Sequence, residues 1–277
     1  MRHAAGRGPS AGLAALGVIG VLAGPSVSGA QVLDLSGYEI VDLTHAFDAR
    51  TLYWPTSPFG FGVDTLAWGP TEGGFFYSSL AIRAPEHGGT HLDAPIHFNA
   101  TGISTDRIPL EQLVAPAVVI DVRERAAADP DYTLTADDVD AFESRHGRIG
   151  PGTIVLLRTG WDSRYGDRAS YFGSDRTGDA SDLHFPSYGE EAARLLVGER
   201  RVALLGVDTA SIDPGPSKDF PVHRVAAAAQ VPGLENLANL GRLPATGALV
   251  LALPMKIAGG TGGPARVIAL VPRNGGS

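Results

Sequence analysis

The most constraining feature of this sequence is a run of three histidines and one aspartate between positions 87 and 97. It reads His-Gly-Gly-Thr-His-Leu-Asp-Ala-Pro-Ile-His, so its four side chains with metal-binding chemistry all fall on odd positions. In an extended strand alternate side chains point to the same side, and His91, Asp93 and His97 are therefore predicted to face one way. His87 can join them across a tight bend at Gly88-Gly89. Imidazoles and a carboxylate that converge on one point are typical ligands of zinc or manganese.

A helix is the alternative conformation for this run. The pair His87 and His91, four residues apart, would lie on one helical face as in zinc proteases. Two consecutive glycines between them and Pro95 after them argue against a helix. The sequence therefore predicts an extended metal-binding segment.

Composition limits the kinds of protein and of metal site that this chain can form. Its 277 residues include no cysteine, so disulfides and thiolate ligands are excluded and any metal must be bound by His, Asp and Glu. A hydrophobic share of 44% with 19% charged residues is typical of a globular enzyme. The net charge is −8 and no run of Lys or Arg occurs, which gives no reason to expect nucleic acid or an anionic membrane as partner.

The amino-terminal residues have the pattern of an export signal. Two arginines precede an apolar run from Leu13 to Ala23, and the small residues Ser28 and Ala30 come before Gln31. The apolar run is shorter than the roughly 20 residues that a membrane-spanning helix needs. The pattern predicts a signal peptide over residues 1–30 and a periplasmic or secreted protein. The alternative is an unstructured extension of a cytosolic protein.

Strand and helix patterns alternate along the rest of the chain, which favours an α/β fold with a mixed sheet in a single domain, residues 31–277. Apolar, β-branched runs predict strands at Glu39–Leu43, Phe76–Arg83, Ala117–Val122, Thr153–Thr159, Val202–Val207 and Ala248–Leu253. Helices are predicted at 135–145, 187–200 and 221–230.

Three residues are expected to cap these helices. Thr135 and Ser187 each open a capping box, and Asp219 is placed to cap the third helix. Residues 162–183 are polar and rich in glycine, and they predict a surface insertion or an active-site lid. The glycine-rich residues 259–263 predict a loop between strands, because the Lys-Ser/Thr of a phosphate-binding loop does not follow them.

The pattern His-x-Gly-Thr-His-x-Asp-x-Pro-x-His-Phe resembles the signature of the metal-dependent cyclase family, which includes bacterial kynurenine formamidases and isatin hydrolases. A second segment supports the resemblance: Gly-Val-Asp-Thr-Ala-Ser-Ile-Asp at 206–213, then His223, then Leu-Glu-Asn-Leu at 234–237. The resemblance runs from about Ile40 to Val271. It implies the swivelling β/β/α fold of that family and a homo-oligomeric assembly.

The resemblance also implies a ligand set. His87, His91 and Asp93 match the ligands of one metal ion. Asp93 would bridge to a second ion held by His223, and Glu235 would contact both ions. The expected cofactor is one or two zinc ions, with manganese as the alternative.

Two further residues receive roles from the resemblance. His97 matches the histidine that transfers protons, although it could instead be another metal ligand. Trp54 matches an aromatic residue that lines the substrate pocket. Asp208 and Asp213 are expected to orient metal-bound imidazoles, and His45 is expected to be structural. A pocket or core role is predicted for a set of aromatic residues, Trp54, Phe59, Phe61, Phe75, Phe76 and Tyr77.

These roles together imply a metal-dependent hydrolase of a C–N bond. The bound cation would activate water and polarise a carbonyl, and His97 would carry the proton to the leaving nitrogen. The named reaction is N-formylkynurenine plus water to kynurenine plus formate. One alternative is isatin-hydrolase-like opening of a cyclic amide or lactone. The other is an extracytoplasmic metal-binding protein without turnover.

Overall fold

A computed structural model describes residues 34–273, so the predicted signal peptide lies outside the described residues. The strands are β1 (Tyr38–Asp42), β2 (Gly62–Pro70), β3 (Phe76–Arg83), β4 (His91–Asp93), β5 (Val114–Asp121), β6 (Thr133–Leu134), β7 (Ile154–Arg158), β8 (Ser187–Tyr188), β9 (Leu204–Val207), β10 (Gly233–Glu235), β11 (Thr246–Pro254) and β12 (Gly262–Pro272). The helices are α1 (Leu110–Leu113), α2 (Arg123–Ala128), α3 (Ala136–His146), α4 (Arg168–Phe172), α5 (Glu190–Arg194) and α6 (Pro221–Ala228), and the π-helical stretch Leu195–Arg200 continues α5. Within this part of the chain, none of the helices has the length and apolar character to cross a membrane.

Eight of the strands form one mixed sheet, in the order β1-β12-β11-β5-β7-β9-β10-β4. Strands β5, β7, β9 and β10 run parallel to one another, whereas β1, β11, β12 and β4 pair antiparallel with their neighbours. Strand β4 also pairs with the first residues of β12, so that the sheet closes on itself. This closure fixes β4, which carries His91 and Asp93, between β10 and β12.

The two faces of the sheet bury separate hydrophobic cores. Strand β7 shows this most clearly: Ile154 and Leu156 pack into one core, and Val155 and Leu157 pack into the other. All four side chains are fully buried, as expected for a strand covered on both faces. Burial on both faces explains why the sequence of β7 is a continuous apolar run. The predicted mixed α/β sheet is confirmed.

The first predicted helix cap is confirmed and the second is wrong. Thr135 accepts the backbone N–H of Asp138, whose carboxylate accepts the Thr135 N–H in return, and helix α3 begins there. Ser187 instead lies in the short strand β8, and its hydroxyl donates to the carbonyl of Ser211 at 2.7 Å. Helix α5 begins only after Gly189, so the serine is used for tertiary contact.

The predicted cap of the third helix is also wrong. Asp219 is exposed, and the residue that precedes α6 is Phe220 in a left-handed conformation, with φ of 49°. The free N–H groups at the start of α6 are satisfied from elsewhere: the carboxylate of Asp213 accepts those of Val222 at 2.9 Å and His223 at 3.0 Å. A carboxylate at this position also complements the positive end of the helix dipole.

Candidate active site

The histidine run forms a short strand and a turn, and the helical alternative for His87 and His91 is wrong. His91 and Asp93 project from the same side of β4, as the alternation rule predicts. His97 does not continue the alternation, because it lies in a single 3₁₀ turn, Pro95–His97. The bend before the strand needs glycine: Gly89 has φ of +59°, and a Cβ there would lie 2.6 Å from the ring of Phe47.

The two cluster residues that are distant in sequence, His223 and Glu235, lie next to β4. Glu235 ends strand β10 and stands directly opposite His91 in the antiparallel register, and His223 lies in the first turn of α6. His223 Nε2 is 3.0 Å from Asp93 Oδ2 and 3.1 Å from Glu235 Oε1. His91 Nε2 is 3.2 Å from Asp93 Oδ1 and 3.4 Å from Glu235 Oε2. His87 Nδ1 completes the cluster, 2.6 Å from Asp93 Oδ1.

Neighbouring acceptors fix which ring nitrogen of each buried imidazole carries its proton. Nδ1 of His91 faces the carbonyl of Gly89 at 2.9 Å and must donate to it. Nδ1 of His223 faces the Asp213 carboxylate at 2.7 Å and donates likewise. In the neutral ring the other nitrogen, Nε2, is then a bare lone pair. Both Nε2 lone pairs point at the carboxylates of the cluster.

His87 is set in the same way by a chain of hydrogen bonds. Thr261 donates its hydroxyl proton to Glu86 at 2.5 Å. The hydroxyl oxygen therefore accepts from His87 Nε2, 2.9 Å away, which leaves Nδ1 of His87 bare and facing Asp93. Three nitrogen lone pairs that face carboxylate oxygens repel them unless positive charge lies between. The cluster therefore fits a divalent cation, bound by three imidazole nitrogens and two carboxylates.

The pKa shifts of His91 and Asp93 also favour positive charge within the cluster. Burial lowers the pKa of His91, but the Asp93 and Glu235 carboxylates outweigh burial and raise it to about 9. Burial likewise opposes the charge of Asp93, yet His87 and His91 hold its pKa well below the usual range. A proton or a metal ion can meet this need.

His97 lies beside the cluster, in contact with His87. Its ring stacks on His87, with centroids 3.9 Å apart. Its donor atom can join those of His87 and Asp93 as a metal site, so both predicted roles are compatible with the geometry. Burial lowers the pKa of His97 to about 4, because desolvation favours the neutral ring. A neutral imidazole beside the cluster can accept a proton.

All five residues of the cluster line one cavity of about 270 Å³. Trp54 lines this cavity, and its ring is nearly perpendicular to that of Phe185, with centroids 6.4 Å apart. The other aromatic residues predicted for the pocket do not line it. Phe59, Phe75, Phe76 and Tyr77 are exposed to solvent by 40–62%, and Phe61 lies outside the lining.

Sequence reasoning missed four aromatic residues of the cavity wall, Tyr53, Phe98, Phe172 and Phe220. Three of them had a usable signal, because Tyr53 directly precedes Trp54, Phe98 directly follows His97 and Phe220 lies three residues before His223. Phe172 comes from residues 162–183, which supply part of the wall through α4. This segment also contacts the residue after Trp54, because the N–H of Gly178 donates to the carbonyl of Pro55 at 2.8 Å.

Of the two aspartates expected to orient imidazoles, only Asp213 contacts one. Asp208 instead accepts hydrogen bonds from Thr159 and the N–H of Gly160, which fixes the loop after β7. His45 stacks on Tyr165 with ring centroids 3.7 Å apart, in keeping with a structural role.

A closed mixed sheet carries a buried cage of imidazoles and carboxylates, formed by His87, His91, Asp93, His223 and Glu235, which lines a cavity rich in aromatic side chains. This is the architecture of a metal-dependent hydrolase. The family model described as "Putative cyclase" matches residues 41–214, and the chain belongs to this family. The predicted family and its fold are confirmed.

Three known proteins illustrate the relationship. An isatin hydrolase from Roseibium aggregatum is 40% identical over 212 residues, 73% of this chain and 78% of the relative. A kynurenine formamidase from Salinibacter ruber is 28% identical over 234 residues, 83% of this chain and 96% of the relative. The solved structure of isatin hydrolase A from Labrenzia aggregata, bound to benzyl benzoate, matches with a TM-score of 0.78 at 37% identity, covering 86% of this chain and 95% of that one.

Proposed function

We propose that this protein is a metal-dependent hydrolase that opens the cyclic amide of an aryl-fused substrate of the isatin type. One observation carries the proposal: the imidazole–carboxylate cage lines the same cavity as five aromatic side chains, Tyr53, Trp54, Phe98, Phe172 and Phe220. Such a cavity accepts a flat ring and presents its amide to the cage. The higher identity to an isatin hydrolase than to a kynurenine formamidase supports a cyclic substrate.

The ligands we propose are His87, His91, Asp93, His223 and Glu235. A zinc or manganese ion bound there would supply a Lewis acid for the carbonyl and would make hydroxide available near neutral pH. The residues themselves supply rigidity. The Nδ1 contacts of His91 and His223 keep each ring in the tautomer whose Nε2 faces the cage, so that little reorganisation accompanies the reaction.

His97 is proposed to move the proton. Water adds to the amide carbon, the bond from that carbon to nitrogen breaks, and the nitrogen leaves as an aniline after it gains a proton. The neutral ring of His97 can take the proton of the water and deliver it to this nitrogen. One cyclic amide and one water therefore give one ring-opened amino acid carboxylate, and one proton is released to solvent.

Hydrolysis of N-formylkynurenine is the second candidate function. It needs the same cage and the same proton transfer, because a formamide also breaks its C–N bond after water adds to the carbonyl. The 28% identity to a kynurenine formamidase over 96% of that protein favours keeping it.

The test is turnover by the purified protein loaded with zinc or manganese. We expect ring opening of isatin to exceed cleavage of N-formylkynurenine in kcat/KM, with Asp93→Asn inactive as the control for metal dependence. Higher kcat/KM on the formamide would favour the second candidate. Stoichiometric metal binding with no turnover of amides, imides or lactones would support the metal-binding protein instead.

We also propose that the protein is a homo-oligomer that assembles through the hairpin β2–β3. This hairpin pairs with no other strand among residues 34–273, and isolated two-stranded hairpins are marginally stable in water. Apolar side chains protrude from both of its faces and are about half exposed or more: Val63, Leu66, Trp68, Phe76, Tyr77, Leu80 and Ile82. Apolar patches of this kind mark association surfaces.

The oligomer is tested by light scattering on Leu66→Asp. We expect this variant to be monomeric and the wild type to be at least dimeric. The control is Leu110→Asp in α1, because Leu110 is equally exposed, 66% against 67%. A wild-type monomer would contradict the proposal.

Export is proposed from the pattern of residues 1–30. The test is mass spectrometry of the protein from the periplasm and medium of a bacterial host. An amino terminus at Gln31 supports export, and an intact cytosolic chain contradicts it.

A further inference from the structure

Asn236 stands next to the cage in a conformation that its neighbours impose. It directly follows Glu235, is only 3% exposed and lines the same cavity. Its φ is +54°, in the left-handed region that asparagine adopts more readily than most residues other than glycine.

Three hydrogen bonds hold Asn236 and use all but one of its polar groups. Its backbone N–H donates to the carbonyl of Thr209 at 2.9 Å, and its carbonyl accepts the hydroxyl of Thr90 at 2.6 Å. The completely buried hydroxyl of Tyr171 shares its one proton between Oδ1 of Asn236, 2.9 Å away, and the carbonyl of Asp208, 3.1 Å away.

The remaining group is the amide nitrogen Nδ2. Within residues 34–273 it has no hydrogen-bond acceptor, and it is not fully shielded from solvent. Because the residue as a whole is buried, Nδ2 reaches accessible space only through the cavity that Asn236 lines. We infer that Asn236 is a substrate-binding residue whose Nδ2 donates a hydrogen bond to a carbonyl oxygen of the substrate.

This inference rests on the proposed function and specifies how the substrate is oriented. A cyclic amide of the isatin type has two adjacent carbonyl oxygens, both acceptors. A fixed N–H donor beside Glu235 would hold one oxygen, so that the amide carbon faces the cage. The bond costs little reorganisation, because Thr90, Thr209 and Tyr171 have already set the position of the donor.

The experiment compares Asn236→Gly and Asn236→Asp with wild type in kcat, KM, metal content and thermal midpoint. Glycine adopts the left-handed conformation freely but has no amide. Aspartate keeps the acceptor for Tyr171 but has no N–H. We expect kcat/KM on isatin to fall about 100-fold in both variants, as on loss of one oriented donor, with metal content and thermal midpoint close to wild type.

A matched control is Asn239→Gly. Asn239 also has positive φ, +58°, but it is exposed and its Nδ2 donates to the carbonyl of Asp42 at 2.9 Å. We expect this variant to retain wild-type kcat/KM. Wild-type kcat/KM in Asn236→Asp would overturn the inference, and so would a loss in kcat/KM that follows loss of metal. Wild-type protein that turns over neither isatin nor N-formylkynurenine would overturn the proposed function, and the inference with it.

Discussion

The carboxylate of Asp213 binds His223 at two atoms, accepting its backbone N–H at 3.0 Å and its ring Nδ1–H at 2.7 Å. One side chain therefore starts helix α6 and sets the tautomer of the imidazole that the helix carries. The position of the helix and the direction of the His223 Nε2 lone pair are coupled through this contact. A change at Asp213 must affect both.

Asp213→Asn should weaken metal binding without direct contact to the metal. Its amide can still accept one hydrogen bond, but the charged acceptor that fixes the His223 ring is lost. We expect metal affinity to fall about 10- to 100-fold, as for other partners of ligating histidines, measured by competition with a chromogenic chelator. Asp219→Asn is the control, because Asp219 is exposed and caps nothing. Equal affinities in the two variants would contradict this role of Asp213.

Metal removal should destabilise the fold, because the cage holds two buried carboxylates within 3.4 Å of imidazole nitrogens. A ligand that binds only the folded state at 100 times its Kd adds about 2.7 kcal/mol to the free energy of unfolding. We expect chelator to lower the thermal midpoint of wild type and to leave that of Asp93→Asn unchanged. An identical wild-type midpoint with and without chelator would argue against a metal cage.

The sequence predicted the cage better than the cavity above it. Asp93 and His91 were predictable because alternation along a strand determines their common side, and His223 and Glu235 came from the family resemblance. Their convergence depends on β4 pairing with β10. That pairing is a long-range contact, and no local pattern near either strand specifies it.

The cavity wall was harder to predict, because an apolar side chain has the same sequence signature in a core and in a pocket. Phe76 and Tyr77 were predicted for the pocket or core and lie exposed on β3, whereas Phe172 was not predicted and is buried at the cavity. The cap of α6 was also predicted wrongly, because the residue that caps this helix is not a near neighbour in the sequence. Its cap, Asp213, lies eight residues before Pro221, outside the spacing of a capping box.

His97→Ala separates the two roles of His97. If it transfers protons, kcat should fall by about 10²- to 10⁴-fold while metal stoichiometry, measured by atomic emission, stays at the wild-type value. A parallel loss of metal would make His97 a ligand, which its grouping with His87 and Asp93 also permits. His146→Ala is the control, since His146 is exposed at the end of α3.

Trp54→Ala should weaken substrate binding rather than chemistry. Its ring packs against Phe185 and Phe220, with centroids 6.4 Å and 6.1 Å away, and it lines the cavity. Loss of such a contact removes binding energy from ground and transition states alike. We expect KM for isatin to rise about 10-fold, equivalent to about 1.4 kcal/mol, at nearly constant kcat. Phe59→Ala is the control, because Phe59 was predicted for the same pocket and lies outside it. A fall in kcat with unchanged KM would instead place Trp54 at the reacting atoms.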